Sequence, residues 1–219
     1  LTAVELVKTA RHWLLKLSII ALDYNQKMIE ASKQGDVSSE DVLVNYVQGD
    51  AMNLLARADE LIIENSFAAI TQVFGIGGIS HPLRVFDGVL KSLQAGGRYF
   101  LVDMHQPISG YDCELPFFGK WFSFPRFETL AYNNYTMPVV LNRLWGWRDT
   151  TLDFYQLPLV TYKDDSNQCW GFEVILFEME SQRWWLGLPL MPIAKAIVKK
   201  VSISEEEALK RQRILEIFS

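Results

Sequence analysis

Runs of mainly apolar residues that end near an aspartate alternate with helical segments along the first half of the chain. Asp23, Asp50 and Asp103 follow or close such runs, and residues 67–74 form another. Residues 81–93 carry apolar side chains at helical spacing, and the pair Gly96-Gly97 is predicted to stop this helix. Apolar strands that alternate with helices are typical of a parallel sheet covered on both faces. The sequence therefore predicts an α/β fold.

The alternation stops after residue 105. Residues 111–162 hold 14 of the chain's 28 aromatic residues (7 Trp, 8 Tyr, 13 Phe). Beyond this stretch, residues 159–162 and 172–180 are predicted to pair as antiparallel strands around the polar turn 164–168. Residues 205–217 are predicted to form a helix with Ser204 as its N-cap.

Composition excludes several classes of function. The net charge of −5 argues against a nucleic-acid partner, because phosphate binding needs a positive field. No apolar run reaches the roughly 20 residues that a membrane-spanning helix requires. Cys113 and Cys169 are too few for a disulfide framework and lack metal-site spacing. We expect a cytoplasmic protein with no membrane span and no metal site.

Asp23 is open to two interpretations. Open parallel sheets bind ligands beyond the carboxyl ends of their strands, and an acid at that position can hold ribose hydroxyls through charge-assisted hydrogen bonds. Alternatively, Asp23 or Asn25 only caps the helix that follows. The spacing of the residues does not separate the two.

Four segments resemble, in order, the motifs of class I S-adenosylmethionine (SAM)-dependent methyltransferases, of the methyltransferase type 11 kind. Residues 20–28 (IALDYNQKM) are similar to the family's second strand and the helix after it, and residues 47–51 (VQGDA) to the next motif. Residues 65–71 (NSFAAIT) resemble the start of the fourth strand, and residues 93–103 (LQAGGRYFLVD) the turn into the fifth. The resemblance implies a Rossmann-like, doubly wound, mostly parallel sheet with an antiparallel terminal strand.

The same resemblance implies SAM as cofactor, lying along the carboxyl edge of the sheet. It assigns the ribose contact to Asp23, and it places Tyr24 and Met28 on either side of the adenine. Further cofactor contacts are expected from Gly49, Asp50, Ala51 and Gln72. Phe74, at the end of the fourth strand of the family, is expected to line the methyl-transfer site or to be plain core.

Two departures from the family pattern stand out. The family's first strand and glycine loop should precede the opening helix and are not in the sequence, and Gly75, Gly77 and Gly78 follow the wrong strand to replace them. We expect the loop to lie upstream of Leu1; a natural deletion would instead make the protein a silent scaffold. Ala68 stands where the family usually has Asp, a difference that we expect to matter little.

A base would assist methyl transfer to an acidic hydroxyl or thiol. His105 lies two residues after Asp103 and is the first candidate, since an unperturbed histidine titrates near neutrality. His81, which precedes Pro82 at a predicted helix start, is the second. Both can equally have structural roles, and His12 is expected to be structural.

The aromatic stretch predicts the kind of substrate. Residues 106–157 are interpreted as an insertion that forms an apolar lid or pocket wall, with substrate contacts from Trp121, Phe124 and Trp145. Residues 184–185 and the proline-containing stretch 188–192 are compatible with closing the same cavity or with a homodimer contact. The predicted substrate is a small apolar or aromatic molecule.

The predicted organisation is a SAM-binding core at residues 1–105, the insertion at 106–157, and terminal strands with a helical extension at 158–219. Besides a methyltransferase, the sequence allows a non-catalytic binding or assembly module and a SAM-dependent cyclase on the same fold. An NAD-dependent reductase shares the acid after the second strand, but its Tyr-x-x-x-Lys motif is missing from the sequence.

Overall fold

The structure, a computed structural model, describes residues 5, 7–9, 12, 16–55, 64–104, 150–183 and 189–217. The chain divides into two compact units, Leu1–Glu64 and Asn65–Ser219.

The first unit contains a parallel pair of strands. Its elements are strand β1 (Leu17–Asp23), helix α1 (Gln26–Gln34), strand β2 (Val42–Gln48) and a 3₁₀ turn (Ala51–Asn53). Leu17 of β1 lies opposite Val42 of β2, and Asp23 lies opposite Gln48, so the two strands end together. The core of this unit forms around Val7, Val42 and Val44, with half-buried apolar residues of β1 and β2 packed against them.

The second unit begins with a β-α-β arrangement. Its elements are strand β3 (Phe67–Val73), a 3₁₀ turn (Ile76–Gly78), helix α2 (Pro82–Ser92) and strand β4 (Leu93–Met104). Strands β3 and β4 pair in parallel. Proline suits the first helical position because its missing N–H would have no partner there. The apolar face of α2 and the inward side chains of β4 form the core, which includes Val85, Phe86, Val89, Leu90, Tyr99 and Leu101.

The rest of the second unit is antiparallel. It comprises helix α3 (Thr151–Gln156), a 3₁₀ turn (Leu157–Leu159), and strands β5 (Thr161–Lys163), β6 (Cys169–Arg183) and β7 (Pro189–Ile203), then helix α4 (Glu205–Ile217). The strand order is β3-β4-β7-β6-β5, and β7 runs antiparallel to both β4 and β6. The pairing of β6 with β7 is interrupted by a bulge between Val174 and Leu176, where Ile175 is the extra residue.

The predicted α/β fold class with antiparallel terminal strands is confirmed. Helix α4 has the predicted bounds, and the Ser204 hydroxyl caps it by accepting a hydrogen bond from the Glu207 N–H at 3.1 Å.

Two local predictions were wrong. Gly96 and Gly97 do not end the preceding helix, since α2 already ends at Ser92. They lie inside β4 where its register with β3 shifts; Gly96 has a φ of 80°, and a Cβ on Gly97 would lie 2.9 Å from the Phe67 carbonyl oxygen. The hairpin around residues 164–168 is also tighter than expected, because Thr161–Lys163 pairs with residues 169–171 instead of 172–180.

Candidate functional site

The carboxyl ends of β1 and β2 bring two predicted site residues to one edge of the sheet. The Gly49 N–H donates to the Asp23 carbonyl oxygen at 2.9 Å, which fixes the chain just after β2 beside the end of β1. A Cβ on Gly49 would lie only 2.6 Å from the Leu22 Cδ1 atom. Because no side chain fits at Gly49 as the structure stands, the backbone leading to Asp50 runs close beside β1.

The Asp23 side chain is half-buried and held in one orientation. Its Oδ1 accepts from the Asn25 N–H at 2.7 Å, while the Asn25 side chain caps α1 by accepting from the Lys27 N–H at 2.9 Å. Within the described residues no hydrogen bond reaches Asp23 Oδ2. The capping role therefore falls to Asn25, and Asp23 presents one carboxylate oxygen as an available acceptor.

Asp50 has a different environment. Its Oδ1 accepts from the Met52 N–H at 2.9 Å and its Oδ2 from the Asn53 side-chain amide at 3.0 Å, so the carboxylate caps the short turn that contains Ala51. Each oxygen is thus engaged locally. The Asp50 side chain shapes the turn after β2, next to Gly49.

Two large side chains beside this edge are exposed to solvent. Tyr24 is 78% exposed and Met28 is 54% exposed, although both are good core residues. Side chains with large flat or flexible apolar surfaces suit a planar ring as a partner. The acceptor oxygen of Asp23, the backbone at Gly49 and these two exposed side chains thus lie at one edge of the paired strands.

The second unit places Gln72 and Phe74 at the carboxyl end of β3. Phe74 adopts a φ of 54°, uncommon for a residue with a side chain, and its N–H donates to the Val102 carbonyl oxygen at 2.8 Å. Non-glycine residues in this region cost free energy and cluster at functional sites. The backbone therefore turns sharply away from β3 at the position where the sequence predicted the methyl-transfer site.

Gln72 is held by Tyr99, a residue that belongs to none of the predicted site positions. The Tyr99 hydroxyl, which is completely buried, donates to Gln72 Oε1 at 2.5 Å. Burial, with a smaller contribution from the negative charge of Asp103, raises the pKa of Tyr99 well above its ordinary value. Tyr99 thus remains a neutral donor, and the Gln72 amide nitrogen lies near Gly75.

Asp103 has a role that its position at a strand end alone did not reveal. Its carboxylate is completely buried, and its Oδ2 accepts from the backbone N–H groups of Ile76 at 2.6 Å and Gly77 at 3.2 Å. A glycine-containing loop after one strand and an acid at the end of the next are the sequence signals from which this contact could have been found.

Of the remaining predicted site residues, the structure describes His81 alone. His81 is exposed and is the N-cap residue of α2, but its side chain makes no capping hydrogen bond; its carbonyl oxygen accepts from the Arg84 N–H at 3.1 Å. His105, Trp121, Phe124 and Trp145 lie outside the described residues. Among the residues that are described, no group of three or more His, Cys, Asp or Glu could hold a metal ion. In the same part of the chain, no helix is long and apolar enough to cross a membrane.

Several solved structures share the fold at low sequence identity. One is phosphoethanolamine N-methyltransferase 1 of Haemonchus contortus in complex with phosphoethanolamine and S-adenosylhomocysteine, with a TM-score of 0.56, 14% identity and coverage of 94% of this chain but 43% of that one. Another is the YcgJ protein of Bacillus subtilis, with a TM-score of 0.51, 15% identity and coverage of 92% of this chain and 98% of that one. A third is the [4+2]-cyclase SpnF, with a TM-score of 0.51, 14% identity and coverage of 84% and 66%.

Sequence comparison identifies the family directly. No individually curated protein matches the sequence significantly. The sequence model of the ubiE/COQ5 methyltransferase family matches residues 2–139, well over half of the chain. That match includes Asp23, Asp50, Gln72 and Asp103. The chain therefore belongs to the ubiE/COQ5 methyltransferase family and is a SAM-dependent methyltransferase.

Proposed function

We propose that this methyltransferase transfers the methyl group of SAM to a small apolar or aromatic molecule in the cytoplasm. The main observation in support of SAM binding at these residues is the available Oδ2 of Asp23 beside the exposed Tyr24 and Met28. An ionised carboxylate oxygen at a strand end can accept from ribose hydroxyls, and the two neighbouring side chains can enclose the adenine. Gly49, Asp50 and Ala51 would supply the adjoining backbone.

SAM brings an already activated methyl group, so the protein contributes mainly by binding and orientation. Holding two reactants in line can supply about 7–11 kcal/mol of the barrier. Gln72 and Phe74, at the turn after β3, would line the acceptor side. His105 would accept the proton of a hydroxyl or thiol acceptor; it directly follows Met104, the last residue of β4. His81 is the alternative base, since its side chain is exposed.

The substrate class rests on the aromatic content of residues 106–157, where Trp121, Phe124 and Trp145 are the proposed contacts. Aromatic side chains bury large apolar surfaces, which suits a flat or apolar molecule. The homodimer contact by residues 184–185 and 188–192 stays a prediction of the sequence. The family membership decides against the NAD-dependent reductase.

The cofactor assignment is tested by replacing Asp23 with Asn and measuring S-adenosylhomocysteine binding by calorimetry. Asn keeps an oxygen for the Asn25 N–H but turns the available acceptor into a donor. We expect a loss of about 2 kcal/mol for a hydrogen bond to a charged group, which is about thirtyfold in Kd. Asp41→Asn is the matched control, because Asp41 is an exposed acid of the same unit with only a 3.8 Å ion pair to Lys16. Equal affinities for the two variants would contradict the assignment.

The reaction is tested by incubating the protein with methyl-labelled SAM and a panel of phenols, naphthols and hydroquinones. A labelled product heavier by one methyl group supports the proposal. A product of unchanged mass would identify a cyclase. S-adenosylhomocysteine binding without any turnover on this panel would overturn the proposed substrate class and favour a binding module.

A further inference from the structure

We infer that Asp103 is a positioning residue for methyl transfer: its buried carboxylate holds the loop of residues 74–78 in the shape that the acceptor side of the site requires. The inference rests on the proposed function, in which the end of β3 lines the transfer site. It concerns a residue that contacts neither the cofactor nor the acceptor.

The first support is the burial of the carboxylate. Asp103 is completely buried, and an ionised group without water is costly unless hydrogen bonds compensate it. Its Oδ2 receives two backbone N–H groups, from Ile76 at 2.6 Å and Gly77 at 3.2 Å, and such charge-assisted bonds are the stronger kind. Both donors are at the start of the 3₁₀ turn Ile76–Gly78, where backbone N–H groups have no partner within the turn. Asp103 therefore caps this turn from the neighbouring strand.

The second support is that three of the five loop residues are glycines, so only Phe74 and the completely buried Ile76 can hold the loop through their side chains. Gly75, Gly77 and Gly78 contribute no side chains to packing, and no described atom lies within 4 Å of where a Cβ on Gly78 would be. Phe74 departs from β3 with a φ of 54° and is tied to β4 through the Val102 carbonyl oxygen. The backbone bonds to the end of β4, including those to Asp103, consequently act together with the buried Ile76 side chain to set the path of the loop.

The third support comes from the arrangement along β4. Tyr99 and Asp103 are four residues apart, so their side chains lie on the same face of the strand, and both are completely buried. Tyr99 holds the Gln72 side chain at the end of β3, while Asp103 holds the loop that follows. One face of β4 thus holds both the Gln72 side chain and the loop of residues 74–78, which are proposed to line the acceptor side of the site.

A small displacement of residues that line the acceptor side would have a large effect on the rate of methyl transfer. A misplacement of about 1 Å in a reacting group can lower the rate by about 10²-fold without removing any contact to the chemistry. The nucleoside contacts proposed for SAM are assigned to residues 23–51, none of which belongs to the loop that Asp103 holds. Cofactor affinity and transfer rate are therefore separate readouts for a change at Asp103.

The test compares Asp103→Ala and Asp103→Asn with Ser92→Ala. Ser92 is the control because it is also completely buried in the second unit, where its hydroxyl donates to the Gly88 carbonyl oxygen at 2.7 Å at the far end of α2. The measurements are amide hydrogen exchange of Ile76 and Gly77, the Kd for S-adenosylhomocysteine, and kcat and KM with the phenol, naphthol or hydroquinone that the unmodified protein methylates fastest.

We expect Asp103→Ala to speed exchange at both amides by about tenfold, as the loss of a hydrogen bond to a charged group implies. We expect kcat to fall by about 10²-fold with the cofactor Kd unchanged, and Asp103→Asn, which keeps an acceptor oxygen, to recover most of both losses. Unchanged exchange in Asp103→Ala, or a fall in kcat no larger than that of Ser92→Ala, would overturn the inference. If the unmodified protein methylates no compound of the panel, the proposed substrate class fails, and the exchange rates still decide whether Asp103 holds the loop.

Discussion

At the scale of single residues, Lys200 has the most unusual surroundings. It is completely buried, and its Nζ donates to the Asn65 side chain at 2.7 Å and to the Leu93 carbonyl oxygen at 2.8 Å. The Tyr162 and Trp170 ring centroids lie 5.0 Å and 5.1 Å from the same nitrogen, within cation–π range. A cation at this position also meets the negative end of the α2 dipole. Lys200 therefore links β7, α2 and the start of β3.

We predict that Lys200→Met lowers the free energy of unfolding by about 3 kcal/mol, because the carbonyl and amide acceptors lose a charged donor inside the protein. The preceding residue provides the control: Lys199 is half-buried, and Lys199→Met should change stability by less than about 1 kcal/mol. Urea unfolding followed by circular dichroism measures both. Similar losses for the two variants would show that the buried bonds contribute little.

Some single residues of the candidate site could be predicted from the sequence, and others could not. Asp23 and Asp50 could be found because each follows an apolar strand, and the structure brings both strand ends to one edge. Tyr99 could not, since an aromatic residue inside an apolar strand is indistinguishable from ordinary core until its hydroxyl is seen against Gln72. The contact between Asp103 and the loop joins residues 26 and 27 positions apart, so it could be found only by combining two separate signals, the acid at one strand end and the glycine-containing loop after the neighbouring strand.

At the scale of elements, the turn between β5 and β6 depends on Asp164. Its Oδ1 accepts from the Ser166 N–H, the Ser166 hydroxyl and the Gln168 N–H at 2.6–2.9 Å, and its Oδ2 accepts from the Trp170 indole N–H at 2.8 Å. These bonds favour the ionised form, those from the Ser166 and Trp170 side chains most, and lower the pKa of Asp164 to about 2.

The lowered pKa of Asp164 makes the folded protein more stable at neutral pH than at acid pH. Because the folded-state pKa lies below the unfolded value of about 3.9, the turn's contribution is fully present above that value and is lost as pH falls towards 2. We predict that Asp164→Asn removes this part of the acid dependence and leaves the pH profile above 5 parallel to that of the unmodified protein. Thermal unfolding between pH 2 and pH 7 measures it, with Asp165→Asn as the neighbouring control. Identical acid profiles for all three proteins would contradict the role of Asp164.

Among the elements, β7 was the one that the sequence did not predict as a strand. It contains Pro189 and Pro192, and its buried positions are partly alanines, Ala194 and Ala196, which have low strand propensity. Its central place between β4 and β6 stabilises it, so tertiary pairing overrides local preference. Helix α4 was predicted with the right bounds because its signals, a serine cap followed by three glutamates, are local.

At the scale of the whole molecule, the two units have sheets of very different size. In the described part of the chain, β1 and β2 form a two-stranded sheet, whereas β4 and β7 each have a neighbouring strand on both sides. A two-stranded pair is marginal by itself, and local opening is easiest where few buried contacts oppose it. The two sheets should therefore differ in the free energy of local opening.

We predict that amides of β4 and β7 exchange with deuterium more than about a hundredfold more slowly than those of β1 and β2, once intrinsic rates are matched. Exchange followed by mass spectrometry on peptides from the four strands measures this difference. Addition of S-adenosylhomocysteine should slow exchange in β1 and β2 most, as ligand binding stabilises the state that binds it. Equal protection in all four strands without ligand would show that the molecule opens as one cooperative body.

The bulge at Ile175 has a consequence for the behaviour of the protein in a crowded solution. β5 pairs with only three residues of β6, so most of the outer edge of that long strand has no neighbouring strand in the described part of the chain. A straight edge with the half-exposed Val174 and Ile175 would be a template on which another copy could add a strand. The extra residue interrupts the pairing of β6 with β7 and bends β6, so its outer edge is not straight at this point. A single inserted residue in β6 thus makes this edge a poorer template for strand addition by another copy of the chain.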